Sequence, residues 1–332
     1  KLPTGDVELY DGRGRREMFK LQGDGTLQAP PGVFVDLQET SEGYLLLDPA
    51  HTLVRFDEWG RLTSIADATK DRESRGNEMR FFYDARSRLR SVLDALGREY
   101  QLDYDDAGRL TTLTDFAERE VVYTYDTEGC LETVRSPLIL TGEAAFPGGL
   151  TTTYEYATPE GELASKLASR DNLTSVTDPR GGPQDKPFEA TYTDTDGDAR
   201  AEEVTAERWG DQPLAIAYDF EEHSATVTDR RGHLWSYLHG ETGQVMRFED
   251  PTTAATQFEV DVEGLVKKVT KPLGGVTEII YDTEGPRRSR GNALVVAVTA
   301  DDRGDNGSAH TLTTFYEYEG YSNQPTRITD PR

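Results

Sequence analysis

Cysteine is almost missing from this chain. Cys130 stands alone among 332 residues, which excludes an intrachain disulfide and any CxxC metal or redox site. Tryptophan and methionine are scarce too, at three each, and histidine is limited to five residues. Apolar residues make up only 35% of the chain, thin for a solid core of this size. A wide sheet with one solvated face needs fewer. No run approaches the roughly 18 consecutive apolar residues of a membrane-spanning helix. Positive charge is also short: 36 Lys and Arg against 61 Asp and Glu leave a net charge of −25. Such an excess repels phosphate backbones and anionic membrane surfaces, so neither nucleic acid nor a membrane is an expected partner.

What the chain does have is a repeated phrase. An aromatic residue followed by aspartate recurs at Phe56-Asp57, Tyr83-Asp84, Tyr104-Asp105 and Tyr125-Asp126. A glycine follows three residues after the aspartate at Gly60, Gly108 and Gly129, and then a leucine and a threonine-rich run. The last two spacings are 21 residues each, and the first is 27, stretched by SRGNE. Looser copies follow at Tyr218-Asp219 and Tyr281-Asp282, with a longer format in YEY (154–156) to TDPR and YEY (316–318) to TDPR. A repeat of this kind is read before anything else, because it decides the architecture.

Each unit alternates with period two. Tyr100, Leu102 and Tyr104 share one side and Gln101, Asp103 and Asp105 the other; Met79, Phe81 and Tyr83, and Val121, Tyr123 and Tyr125, repeat the pattern. Alternation rich in Thr, Val and Tyr is the mark of a half-buried strand. DEWGR, DDAGR and DTEGC supply Asp and Gly turn chemistry between strands. Twenty-one residues therefore read as a β-hairpin, with the aspartate accepting backbone N–H groups of its turn. The expected fold is all-β: one long antiparallel sheet of consecutive hairpins, curled into an arc or partial hollow shell. Residues 1–50 read as an N-terminal β segment leading into an array over 51–332, with insertions near 137–150, 183–215 and 285–314. The chain opens without Met or a signal-peptide core and stops at ITDPR, a string that continues as VTDPRGG at 176–182. A fragment of a longer protein is the expectation.

The spacing Y-D-x-x-G-R-L resembles the YD repeat of the Rhs family, which includes bacterial polymorphic toxins, the shell components of insecticidal Tc toxins and, distantly, teneurins. VELYDGRGRREMFKL and GYLLLDPAHTLVRFDEWGRLTSI also resemble the segment that leads into the repeats of bacterial Rhs proteins. The resemblance implies a secreted or cell-surface bacterial shell that encloses or presents a C-terminal toxin domain, its partner being the remainder of the same polypeptide. It also implies a non-catalytic chain. The alternative is an adhesion or carbohydrate-binding module on the same sheet, engaging a cell-surface glycan or receptor. Trp59, Trp209 and Trp235 would then be stacking platforms, although strand packing explains them equally.

Chemistry-bearing motifs are few. Asp194, Asp196 and Asp198 alternate as in a calcium loop, yet Ala199 stands where glycine is required and Thr205 where a bidentate glutamate belongs. Calcium is the only cofactor these residues suggest. His233 and His239 fall on one strand face if the strand is unbroken, together with Trp235 and Tyr237; a stacked ladder of side chains is expected there rather than a metal site. GxSxG, HExxH and GxxxxGK[ST] are all missing, so no catalytic residue is assigned and no enzyme is expected.

Overall fold

A computed structural model describes residues 1–12, 14–68, 76–139, 146, 148–157, 172–179, 188–193, 203–210, 212–300 and 310–330. Among these residues the regular structure is β throughout, except for one single-turn 3-10 helix at Arg287–Ser289. The chain begins with β1 (Val7–Tyr10), β2 (Arg16–Leu21) and β3 (Leu27–Gln28), which form a small antiparallel sheet of their own. Next come β4 (Asp36–Thr40), β5 (Gly43–Leu47), β6 (Leu53–Phe56), β7 (Leu62–Ala66) and β8 (Glu78–Tyr83). They are followed by β9 (Leu89–Leu93), β10 (Glu99–Tyr104), β11 (Leu110–Thr114), β12 (Glu120–Tyr125) and β13 (Leu131–Arg135). After these lie β14 (Thr151–Tyr156), β15 (Leu173–Thr177), β16 (Phe188–Thr193), β17 (Glu203–Trp209) and β18 (Gln212–Asp219). Then follow β19 (Ser224–Thr228), β20 (Leu234–His239), β21 (Val245–Glu249), β22 (Ala255–Val260) and β23 (Val266–Thr270). The last are β24 (Val276–Tyr281), β25 (Ala293–Thr299), β26 (Thr311–Tyr318) and β27 (Pro325–Thr329). From β4 onward the twenty-four strands are one antiparallel sheet of consecutive hairpins. The all-β expectation therefore holds. The long sheet starts at Asp36, ahead of residue 51, and β16 to β18 occupy much of the stretch read as an insertion at 183–215.

Two compact units make up the chain. One contains Lys1–Phe82, Val92–Gly97 and Ala255–Arg332; the other contains Tyr83–Ser91 and Arg98–Ala254. The first holds the main hydrophobic cluster. Val7, Phe19, Ala29, Val33, Leu37 and Leu46 are buried there, with Leu9, Leu27, Val35, Tyr44, Val54 and Phe56 packed around them. Phe19 is fully buried. The small sheet thus serves as a lid of apolar side chains over β4 to β6. The second unit has scarcely any fully buried side chains among its described residues, because a meander of amphipathic strands covers each face only in part.

Along the strands the pleat sets exposure. On β10, Tyr100, Leu102 and Tyr104 are half-buried while Glu99, Gln101 and Asp103 are exposed. On β8 the predicted face is only partly correct: Phe81 and Tyr83 are half-buried, but Met79 is exposed. Met79 opposes Ile65 near the strand's start.

Candidate functional site

The repeated phrase is a lock, and each of its letters has a bond to make. At Asp105, the backbone N–H donates to the Arg109 carbonyl at 2.9 Å, and Gly108 N–H donates back to the Asp105 carbonyl at 3.0 Å. This is the three-residue hairpin loop whose last residue is left-handed; Gly108 sits at φ 85°, where a side chain would be strained. The Asp105 carboxylate accepts the Arg109 N–H at 2.8 Å and the Arg109 Nε–H at 2.8 Å. Asp57 with Arg61, and Asp84 with Arg88, repeat both bonds. Asp126 keeps the first bond, from the Cys130 N–H, and also accepts the N–H groups of Glu128 and Gly129, while Cys130 in the arginine position has no Nε–H to give. Tyr83-Asp84 has Ser87 where the glycine would be, held at φ 61°.

The aromatic letter reaches back one unit. Tyr104 Oη donates to the Leu89 carbonyl at 2.6 Å, and Tyr125 Oη to the Leu110 carbonyl at 2.8 Å. Arg88 lies over the Tyr104 ring at 4.8 Å and Arg109 over Tyr125 at 4.6 Å. The Arg-Leu pair of one unit therefore receives the tyrosine of the next. Tyr192, Tyr218, Tyr281 and Tyr318 make the same hydroxyl bond to Leu173, Val204, Val266 and Ala293. Pairing slips by one residue just before Phe56, Tyr104, Tyr125, Tyr192, Tyr281 and Tyr318, though not before Tyr218: Asp103 faces Thr112, but Tyr104 faces Leu110. The threonine left over, Thr111, donates its hydroxyl to the Asp103 carbonyl at 3.2 Å. Thr63, Thr174, Thr205 and Thr326 do likewise. A bulge bends its strand and increases local twist, so the phrase fixes both the join and the bend.

Charge follows the same geometry. The backbone amide of Arg109 holds Asp105 below the ordinary carboxylate range, and that of Arg88 does so for Asp84. At Asp229, whose carboxylate accepts the N–H of His233 and of Arg231, the pKa falls to about 2. Burial raises the phenols of Tyr104 and Tyr125.

A second constellation lies in the first unit, and the sequence reading missed it. Arg287, on the 3-10 turn, donates from Nη1 and Nη2 to the two carboxylate oxygens of Glu263, each at 2.6 Å. Its remaining donors go to the carbonyls of Val33 at 2.9 Å and Pro30 at 2.7 Å. Glu263 also accepts the Gly32 N–H at 3.0 Å, and the Phe34 ring lies under the guanidinium at 5.0 Å. The bond to Arg287 holds the Glu263 carboxyl low. Arg288 donates to the carbonyls of Tyr321 at 2.6 Å and Gly320 at 2.9 Å, approaches His51 Nδ1 at 3.1 Å and pairs with Asp36 at 3.4 Å. Burial nevertheless raises the Asp36 carboxyl. His51 is itself buried and stacks on Tyr321 at 3.9 Å. These adjacent arginines tie residues 30–51 to residues 263 and 320–321, across more than two hundred positions of sequence. The signal was present: GPRRSRGN is a basic cluster in a strongly acidic chain.

The other sequence candidates fare unevenly. Asp194, Asp196 and Asp198 lie outside the described residues. Among the described residues, no group of three or more His, Cys, Asp and Glu side chains could hold a metal. Of the aromatic ladder expected around His233 and His239, one stacked pair is present, and it includes neither histidine. Trp235 and Tyr237 are half-buried on β20, with Tyr237 stacked on Phe248. His233 sits before the strand with Nδ1 3.2 Å from Asp229, and His239 lies beyond a register slip with Nδ1 3.3 Å from the Gly243 carbonyl. Six residues of extended chain would set their Cα atoms roughly 20 Å apart. Trp59 and Trp209 are exposed.

Residues 83–120 match the family model described as RHS Repeat. Among solved structures, the chain is similar to the Photorhabdus luminescens Tc holotoxin pore, at 13% identity and a TM-score of 0.47. TcdB2-TccC3 without its hypervariable C-terminal region is similar to the same degree. In both cases 98% of this chain is covered but only 18% of the other, so the chain spans under a fifth of their length. A porin-like protein from Bacteroides uniformis is similar at 13% identity and a TM-score of 0.22, covering 84% of this chain and 92% of that one. No curated protein matches.

Proposed function

From a chain that carries an RHS repeat, we propose a segment of an Rhs-type β-shell that encloses or presents an effector borne on the same polypeptide, in a secreted bacterial protein. The observation that carries this reading is the lock itself. Hairpins are joined to the one before by the same tyrosine bond, with an arginine over the ring at two of these joins; most hairpins carry a bulge, several capped by a threonine, and little is spent on a solid core. That is the construction of a wall rather than of a globule. The arginine clasp supports it, because it fastens early hairpins to late ones within the first unit. In this reading the chain is a container and carries out no chemistry. Limited proteolysis of the longer polypeptide tests it. The effector within it should survive protease concentrations that digest the isolated effector; digestion of both at equal rates would refute enclosure.

A further inference from the structure

A cleft of about 280 Å³ opens in the first unit between β1 and the turn after β6. Its floor is the edge of the hydrophobic cluster, from Val7, Leu37, Tyr44 and Phe56. Tyr10 and Trp59 line it above that floor, and Trp59 is 71% exposed. Glu8, Glu58 and Lys1 are the charged residues of the lining. We propose that this cleft binds the guanidinium of an arginine presented on a basic peptide segment.

The chemistry is that of a cation held against aromatic faces beside a carboxylate. The chain already uses it on both exposed rings. Arg16 lies over Tyr10 at 5.2 Å and Arg61 over Trp59 at 4.8 Å, each occupying one ring face. Of the charged groups, Lys1 is neutralised by Glu39 at 2.8 and 2.5 Å. Glu8 is engaged by Tyr10 Oη at 2.8 Å and by Arg16 Nε at 3.0 Å. Glu58 is exposed on the turn, and no described residue makes a hydrogen bond or ion pair with it. An incoming cation therefore meets aromatic surface and one uncommitted carboxylate. Guanidinium fits this combination better than ammonium, being planar and weakly hydrated, so that it stacks while its edge forks onto a carboxylate. The net charge of −25 draws basic segments toward the surface at the outset. The proposal stands apart from the shell reading, since it needs only the first unit's surface.

Calorimetric titration with an acetylated, amidated Gly-Arg-Gly-Arg-Gly peptide tests it, alongside the lysine counterpart and methyl glucoside. The arginine peptide should bind, and Trp59→Ala should weaken it about tenfold. Glu58→Gln should weaken it several-fold and the lysine peptide should bind several-fold less tightly. Both substitutions are at exposed turn positions, and circular dichroism confirms that each variant keeps its strands. Equal affinity for arginine and lysine peptides, or an unchanged affinity in Trp59→Ala, would reduce the effect to general electrostatics and overturn the proposal. So would binding of the glucoside in place of the peptide, or no heat with either peptide.

Discussion

Replacing Arg287 by alanine is the sharpest perturbation of this fold. The side chain is 16% exposed and its partner Glu263 26%, so solvent screens the pair only in part. Four donor contacts vanish: two to the carboxylate and one each to Val33 and Pro30. Removing one member of a buried pair costs about 3–5 kcal/mol, and a hydrogen bond to a charged group about 1.5–3 kcal/mol. Glu263 keeps the Gly32 N–H as a partner and is partly wet, so the low end, about 3 kcal/mol, is the expected local loss. A loss of that size is a factor of roughly 150 in an opening equilibrium. Hydrogen exchange reads it directly. Peptides covering 30–36 and 285–292 should exchange about a hundredfold faster, while those covering 104–125, in the other unit, should not change. Arg287→Lys should fall between, because it keeps the charge and loses the fork. Exchange within threefold of the parent at 30–36, or an equal rise at 104–125, would refute the clasp.

Tyr104→Phe removes only the hydroxyl bond to Leu89 and should cost about 1 kcal/mol, read as a lower urea midpoint with the strand signal intact. Thr253 sits at φ 66° in its turn, where a glycine stands in most units; Thr253→Gly should stabilise by up to about 1 kcal/mol, measured by thermal unfolding. For pH, the turn aspartates have folded pKa values below the ordinary carboxylate value of about 3.9, and Asp229 lies at about 2. Their stabilisation is complete above the unfolded pKa and is lost as pH falls through the folded one. Urea midpoints should therefore hold between pH 7 and about 5 and drop between about 4 and 2, with a smaller drop in Asp229→Asn.

Much of this architecture was legible because the repeat writes its turns in side chains. Asp105 and Gly108 announce a hairpin loop, and Tyr100, Leu102 and Tyr104 announce the face of a strand. The tyrosine's partner was hidden, because Leu89 offers its backbone carbonyl and any residue could do that. Threonine looked like strand composition, whereas Thr111 caps a bulge that no period-two pattern shows. His233 and His239 were placed on one face by counting through a strand that begins after the first and slips register before the second. The clasp was hidden by sequence distance: Arg287 and Pro30 are 257 positions apart, and only the basic cluster itself marked the place.

Electron cryomicroscopy of the proposed effector-bearing shell polypeptide tests the central claim most directly. The account predicts a wall one sheet thick, with each hairpin's tyrosine latched to the unit before it and the effector's density on the enclosed side. Hairpins separated from one another, or an effector standing free of the wall, would contradict it.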